Sequence, residues 1–219
     1  MPATLVHLVR HGESTWNREG RLQGQTIHPA LTDRGLGQAA AAAETLAGLL
    51  EGRSAVLWSS DLVRAAQTAA VIGTRLGVPV RHDEALREQS LGRLEGKLTR
   101  DLRPEPTPAG QHVGDIRWGG GESTADVHAR VGRFLTRELS VAAGAGLARD
   151  QDAEALVAAD DTGTGAAGLG DGIRHLIVVS HGDAIRVAHA WLLGRSHRDL
   201  DWSPLPNGSV TSVHPDHCV

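Results

Sequence analysis

Three short apolar runs punctuate the chain, and each ends abruptly on polar residues. Thr4 to Val9 (TLVHLV) stops at Arg10-His11-Gly12, Ala55 to Trp58 stops at Ser59-Ser60-Asp61, and His175 to Ser180 (HLIVVS) stops at His181-Gly182-Asp183. Unbroken apolar runs of this length predict strands buried on both faces, as in a parallel sheet. Between them the pattern turns helical. Thr32 is placed as an N-cap, with Asp33 in the first turn, an Ala- and Leu-rich body to about Leu50, and Gly52 as the stop. Ser59-Ser60-Asp61 is expected to cap a helix from about Leu62 to Leu76, closed by Gly77. Ser123-Thr124-Ala125-Asp126 reads as a capping box with Asp in the place of Glu. The helix it opens runs to about Val141 with Val127, Val131, Leu135 and Leu139 on one face. A further helix follows His181-Gly182, carrying Ile185, His189, Leu192 and Leu193.

Val78 to Arg81 and Val210 to Val213 are short strand candidates. Leu86 to Arg117, with Pro104, Pro106 and Pro108 close together, reads as mostly irregular. Ala142 to Gly172 shifts to Ala, Gly and Asp and reads as a flexible insertion. Strands alternating with long helices imply βαβ units and an α/β fold with a mostly parallel sheet. The length, 219 residues, suits a single domain over 1–219.

Composition narrows the function classes. The 22 basic and 26 acidic residues are interspersed and give a net charge of −4, without the basic stripe of a nucleic-acid binder. Cys218 is the only cysteine, so neither an internal disulfide nor a cysteine-rich zinc site is expected. No apolar run approaches the ~18 residues of a membrane span, and the N-terminus does not read as a secretory signal, so a cytoplasmic protein is expected. Lys97 is the only lysine, and a GC-rich genome accounts for the scattered arginines.

The chemistry lies at the strand ends. In parallel sheets ligands sit beyond the carboxyl ends of the strands. If the first and third runs are both central and parallel, the His11-Gly12 and His181-Gly182 turns open on the same edge. A lone His is ordinarily structural; two matched His-Gly turns point to a site. Arg10 adjoins the first turn, Arg64 sits early in the helix after the second run, and Asn17 is close in sequence. Guanidinium forks and imidazoles are donors suited to a phosphate dianion. No acidic or cysteine cluster suggests a metal.

Several ordered stretches carry a family resemblance: Leu8-Val9-Arg10-His11-Gly12-Glu13-Ser14-Thr15-Trp16-Asn17, Ser59 to Ala69, Leu86-Arg87-Glu88 with Gly92 and Glu95-Gly96, Gly120-Gly121-Glu122-Ser123, and Val179-Ser180-His181-Gly182. Together they span nearly the whole chain, and the sequence resembles the histidine phosphatase superfamily, the phosphoglycerate-mutase-like proteins. The resemblance implies a three-layer α/β/α fold with about 97–119 as a variable cap. It implies that His11 is the nucleophile, forming a phosphohistidine, that Arg10, Arg64 and His181 hold the phosphate, and that Glu88 is the proton donor. Asn17 is a further pocket donor by the same resemblance. Ser14, Arg21, Gln23 and Gly24 are rim candidates for substrate binding. No cofactor and no metal are implied.

Glu88 is followed by Gly92, Glu95 and Gly96, the Glu-x3-Gly-x2-Glu-Gly form of the family's phosphatase branch, and no adjacent arginine pair follows before Trp118. A pocket that holds no bisphosphate exposes the phosphoenzyme to water. The expected activity is therefore a metal-independent phosphomonoesterase acting on a small phosphorylated metabolite. A cofactor-dependent phosphoglycerate mutase and a non-catalytic phosphate-binding module are the alternatives. No nucleic-acid or membrane partner is expected. The residues leave the oligomeric state open, a homodimer through an edge strand being known among relatives.

Overall fold

A computed structural model describes residues 4–103, 106–142 and 174–215. Five strands, β1 (Thr4–Arg10), β2 (Ala55–Ser59), β3 (Val80–His82), β4 (Arg174–Ser180) and β5 (Val210–Val213), form one sheet in the order β3-β2-β4-β1-β5. Only β5 is antiparallel. β1 and β4 are neighbours in register, Val9 opposite Val179 and Arg10 opposite Ser180, so the residues that follow them leave the sheet side by side.

Side-chain alternation along these strands builds two cores. Val6, Leu8, Leu176 and Val178 face one side and meet Val127, Val131, Phe134 and Leu135 of α4 (Thr124–Ala142) and Ile185, Val187 and Leu192 of α5 (Gly182–Leu192). Val9, Leu57, Ile177 and Val179 face the other and meet Ala42, Ala43 and Leu46 of α2 (Asp33–Leu50) and Ala65, Ala69 and Ile72 of α3 (Val63–Leu76). The result is three layers, α/β/α, with a mostly parallel sheet. Both faces are covered, which is why the central strands are largely apolar.

The caps follow the sequence with two corrections. Thr32 caps α2, its Oγ1 accepting from Gly35 N at 3.0 Å, but the left-handed turn that ends α2 falls on Glu51 (φ 49°), one residue before Gly52. α3 has Leu62 at its N-cap and no side-chain cap, so Ser59-Ser60-Asp61 does not cap it. Ser59 closes β2 and Asp61 pairs with Arg87, while Ser60 turns to His181. The capping box before α4 is present, with Ser123 Oγ accepting from Asp126 N at 3.2 Å and Asp126 Oδ2 accepting from Ser123 N at 2.9 Å. Where their structure is described, residues 86–117 contain only short 3-10 turns and an isolated antiparallel bridge from Leu98 to Arg21. The insertion expected at 142–172 lies outside the described residues beyond the end of α4.

One polar pair interrupts the α2/α3 side. His7 on β1 and His175 on β4 are buried, with His7 Nε2 2.9 Å from His175 Nδ1 and His7 Nδ1 2.8 Å from Ser212 Oγ. Burial first, and then the neighbouring His175, lower His7 to about 4. An unfolded His titrates near 6.5. The stability this pair contributes is therefore present above pH 6.5 and is lost as pH falls through 4, because the unfolded chain takes up the proton first. The loss between pH 7 and pH 5 is about 2 kcal/mol from His7 alone. Urea midpoints at the two pH values are expected to show this drop, and a His7→Gln chain a smaller one. An equal drop in both proteins would refute the assignment.

Candidate active site

β1 delivers its last residues into a turn gripped from several sides. His11 N donates to Ser180 O at 3.0 Å, extending the ladder one step past Arg10. His11 Nδ1 lies 2.7 Å from Gly12 O. A carbonyl only accepts, so the ring hydrogen sits on Nδ1 and a neutral ring keeps its lone pair on Nε2. Burial, then the charges of Arg64 and Arg10, hold His11 well below the ordinary histidine value, and the bond to Gly12 opposes them only in part. The ring is thus neutral at pH 7. Gly12 allows this packing: a Cβ there would collide with the Gly35 carbonyl in the first turn of α2. Gly12 N donates to Thr68 Oγ1 at 3.1 Å.

Two guanidiniums and a second imidazole surround that ring. Arg64 is fully buried; its Nη1 and Nη2 donate to Thr26 O and Gly24 O, each at 2.8 Å. Burial lowers it to about 10, with Glu88 and Glu95 opposing, so it remains a cation at neutral pH. Arg10 donates through Nη1 to Leu205 O. His181 is the residue before α5, and its ring centroid is 5.1 Å from that of His11. His181 Nε2 lies 2.9 Å from Ser60 Oγ, which also accepts from Leu62 N at 3.3 Å. A neutral His181 that accepts the Ser60 hydroxyl hydrogen carries its own on Nδ1. Burial, and then Arg64, lower His181 as they do His11. Among the described residues five buried side-chain N or O atoms have no partner; Arg10 Nε, Arg64 Nε and His181 Nδ1 are three of them. Buried polar atoms are nearly always paired, and three exceptions around one imidazole form a donor set for an anion.

Glu88 stands beside this set. Its Oε1 accepts from Gln89 N at 2.9 Å, Asp183 N at 3.2 Å and Ala184 N at 3.1 Å, so the carboxyl rests on the first turn of α5. A Cβ on Gly182 would lie 3.6 Å from Glu88 Oε2 and 3.9 Å from Arg10 Cζ, which puts the acid and the guanidinium against one glycine. Asp183 is pushed up to about 7, by burial first and by the Glu88 charge second.

The rim candidates divide. Ser14 caps α1 (Thr15–Glu19), a short helix the sequence pattern did not signal; its Oγ accepts from Asn17 N at 3.1 Å and lies 2.7 Å from Gln23 Oε1. Asn17 closes that capping box, its Oδ1 accepting from Ser14 N, so its Nδ2 is the end left for a ligand. Gly24 acts through its carbonyl on Arg64. Arg21 is engaged elsewhere, its Nε on Glu19 at 2.7 Å and its Nη1 on Gly96 O at 2.8 Å, bracing the loops rather than joining the donor set. Sequence reasoning missed Asn207, whose Nδ2 donates to His11 O at 3.0 Å, and the roles of Ser60 and Thr68. The signal for Asn207 was present as a Pro-Asn-Gly turn immediately before a strand.

The comparisons with known proteins show the family. The family model described as histidine phosphatase superfamily (branch 1) matches residues 6–148. The chain is 35% identical over 192 residues to a glucosyl-3-phosphoglycerate phosphatase of Mycolicibacterium vanbaalenii, covering 85% of this chain and 73% of that one. It is 35% identical over 232 residues to the fructose-2,6-bisphosphatase TIGAR B of Danio rerio, covering 97% and 88%. A probable phosphoglycerate mutase, GpmB of Yersinia pestis, is 41% identical over 100 residues, 46% of this chain and 45% of that one. Among solved structures, a mycobacterial glucosyl-3-phosphoglycerate phosphatase in complex with VO3 superposes with a TM-score of 0.69 at 29% identity, over 96% of this chain and 90% of that one. Sequence match, fold and the ordered motifs agree: this chain belongs to the histidine phosphatase superfamily.

Proposed function

We propose that the chain is a cytoplasmic, metal-independent phosphomonoesterase that hydrolyses a small phosphorylated metabolite through a phosphohistidine on His11, with 1–219 acting as one catalytic domain. The observation that carries this reading is the set of three buried, unpartnered nitrogens (Arg10 Nε, Arg64 Nε and His181 Nδ1) around an imidazole whose other nitrogen is committed to Gly12. The neutral ring attacks phosphorus in line through Nε2; the P–N bond forms as the bond to the ester oxygen breaks. Arg10, Arg64 and His181 meet the charge of the equatorial oxygens, with the Asn17 amide adding a donor. Glu88 gives its proton to the departing alkoxide, and the alcohol leaves. Water then attacks the phosphohistidine, Glu88 takes its proton, and inorganic phosphate and free His11 result.

Mutase activity is the second reading, because part of the chain matches a probable phosphoglycerate mutase. Hydrolysis is favoured by the two phosphatases matched over most of both chains, and by the cap. There Arg117 Nη2 is bonded to Asp126 at 2.6 Å and His112 Nδ1 accepts from Gly114 N, so each is partly engaged in a local contact. The names of those relatives support a phosphorylated sugar or sugar-acid as substrate. Phosphate release from p-nitrophenyl phosphate and a panel of sugar phosphates, in the presence of a chelator, is the test. Steady release undiminished by chelator is expected. Interconversion of 2- and 3-phosphoglycerate with negligible release from any monoester would reverse the ranking.

A further inference from the structure

Arg130 lies on α4, and its guanidinium is divided between the 85–88 loop and Glu122. Nη1 donates to Ala85 O and Arg87 O, each at 2.8 Å, and Nη2 to Glu88 O at 2.9 Å. Nε and Nη2 also take the two oxygens of Glu122, both at 2.9 Å. The Arg130 side chain is only 13% exposed, so this planar, bidentate pair is largely screened from water. Glu122 extends the network: its Oε2 accepts from Ser90 N at 3.0 Å and from Gln25 Nε2 at 3.1 Å. Gln25 Nε2 lies 3.1 Å from Glu88 O as well. The peptide oxygen of Glu88 is thus held by two side chains that never touch its carboxyl. Gln25 also sits between Gly24 and Thr26, whose carbonyls hold Arg64. One amide side chain therefore links the acid's backbone to the collar of the phosphate-binding arginine.

We propose that Arg130, Glu122 and Gln25 are positioning residues that hold the Glu88 carboxyl at the leaving-group oxygen. The inference rests on the reading of Glu88 as proton donor. Proton transfer requires donor and acceptor within about 2.6–3.2 Å, and a displacement of about 1 Å far from the chemistry costs on the order of 100-fold. A carboxyl on a loop, with its peptide oxygen pinned from two directions, meets that tolerance; a loosened loop does not. A purely structural network would affect all substrates alike. A network that aims the acid affects only those whose leaving group needs a proton.

The test uses that difference. kcat/KM is measured on p-nitrophenyl phosphate, whose leaving group departs unprotonated, and on glycerol phosphate, whose alkoxide does not. Arg130→Met and Glu122→Gln are expected to lose about 10- to 100-fold on glycerol phosphate and less than about 3-fold on p-nitrophenyl phosphate, with Arg130→Lys in between. Gln25→Leu leaves the Arg130–Glu122 pair intact, so it tests the same selectivity if Arg130→Met fails to fold; a loss of about 5-fold on glycerol phosphate alone is expected. Equal losses on both substrates in Arg130→Lys and Gln25→Leu would overturn the inference. Glu88→Gln is the reference: if it shows the selectivity and the others do not, only the positioning role fails. If Glu88→Gln lacks it, the reading of Glu88 as proton donor fails and takes the inference with it.

Discussion

His11→Ala is expected to abolish phosphate release from every monoester, by at least about 10,000-fold in kcat, while the protein still folds and still binds inorganic phosphate. The size follows from the chemistry: without the imidazole no covalent intermediate forms, and the remaining donors stabilise charge but attack nothing. Folding survives because the ring's one strong bond, from Nδ1 to Gly12 O, is to its own neighbour, and its removal strands only that carbonyl. Binding survives because the phosphate donors belong to Arg10, Arg64 and His181, which alanine at position 11 leaves in place. Rapid quench with a radiolabelled substrate should trap acid-labile label on the wild-type chain and none on His11→Ala. Label that persists in the variant, or activity above about 1% of wild type, would move the nucleophile elsewhere.

Arg64→Lys is expected to fail nearly as badly as Arg64→Met, with kcat/KM falling about 100- to 1,000-fold in each. The reason is the number and plane of the donors. Arg64 holds Thr26 O and Gly24 O through its two terminal nitrogens and keeps Nε for the ligand. An ammonium is a point donor on a flexible stem and cannot reproduce that planar, three-way division. The lost bonds to the Gly24 and Thr26 carbonyls also cost stability, about 1–3 kcal/mol for each left buried and unsatisfied. Steady-state kinetics and urea unfolding on the same samples separate the effects. Activity within about 5-fold of wild type in Arg64→Lys would show that charge alone suffices.

The central frame was legible because it rests on local signals. Apolar runs such as HLIVVS read as doubly covered strands, and the parallel pairing of β1 with β4 put His11 and His181 on one edge as the pattern required. The acid was legible only through resemblance, since beside Arg87 a glutamate has no local signature; in the fold Arg87 pairs with Asp61 instead. Serine and asparagine gave a mixed signal. Ser14 and Asn17, three apart, read as ligand donors in a phosphate loop, and their hydrogen bonds also close a helix cap that the pattern did not signal. Arg130 was illegible for a different reason: it reaches the Glu88 loop 42 to 45 positions away through backbone oxygens that no sequence pattern marks, while the Pro-Asn-Gly turn marked Asn207 as a turn residue but not its bond to the His11 carbonyl.

The segment that braces the His11 turn arrives late in translation. Leu205 receives Arg10, Asn207 holds the His11 carbonyl, and Gly208 N donates to Arg10 O at 3.0 Å, while His11 itself is made 196 positions before Asn207. A nascent chain that has not yet reached residue 205 already displays the imidazole but has none of these stays. The turn that carries the imidazole therefore gains its last braces only when β5 docks against β1, after nearly the whole chain has been made.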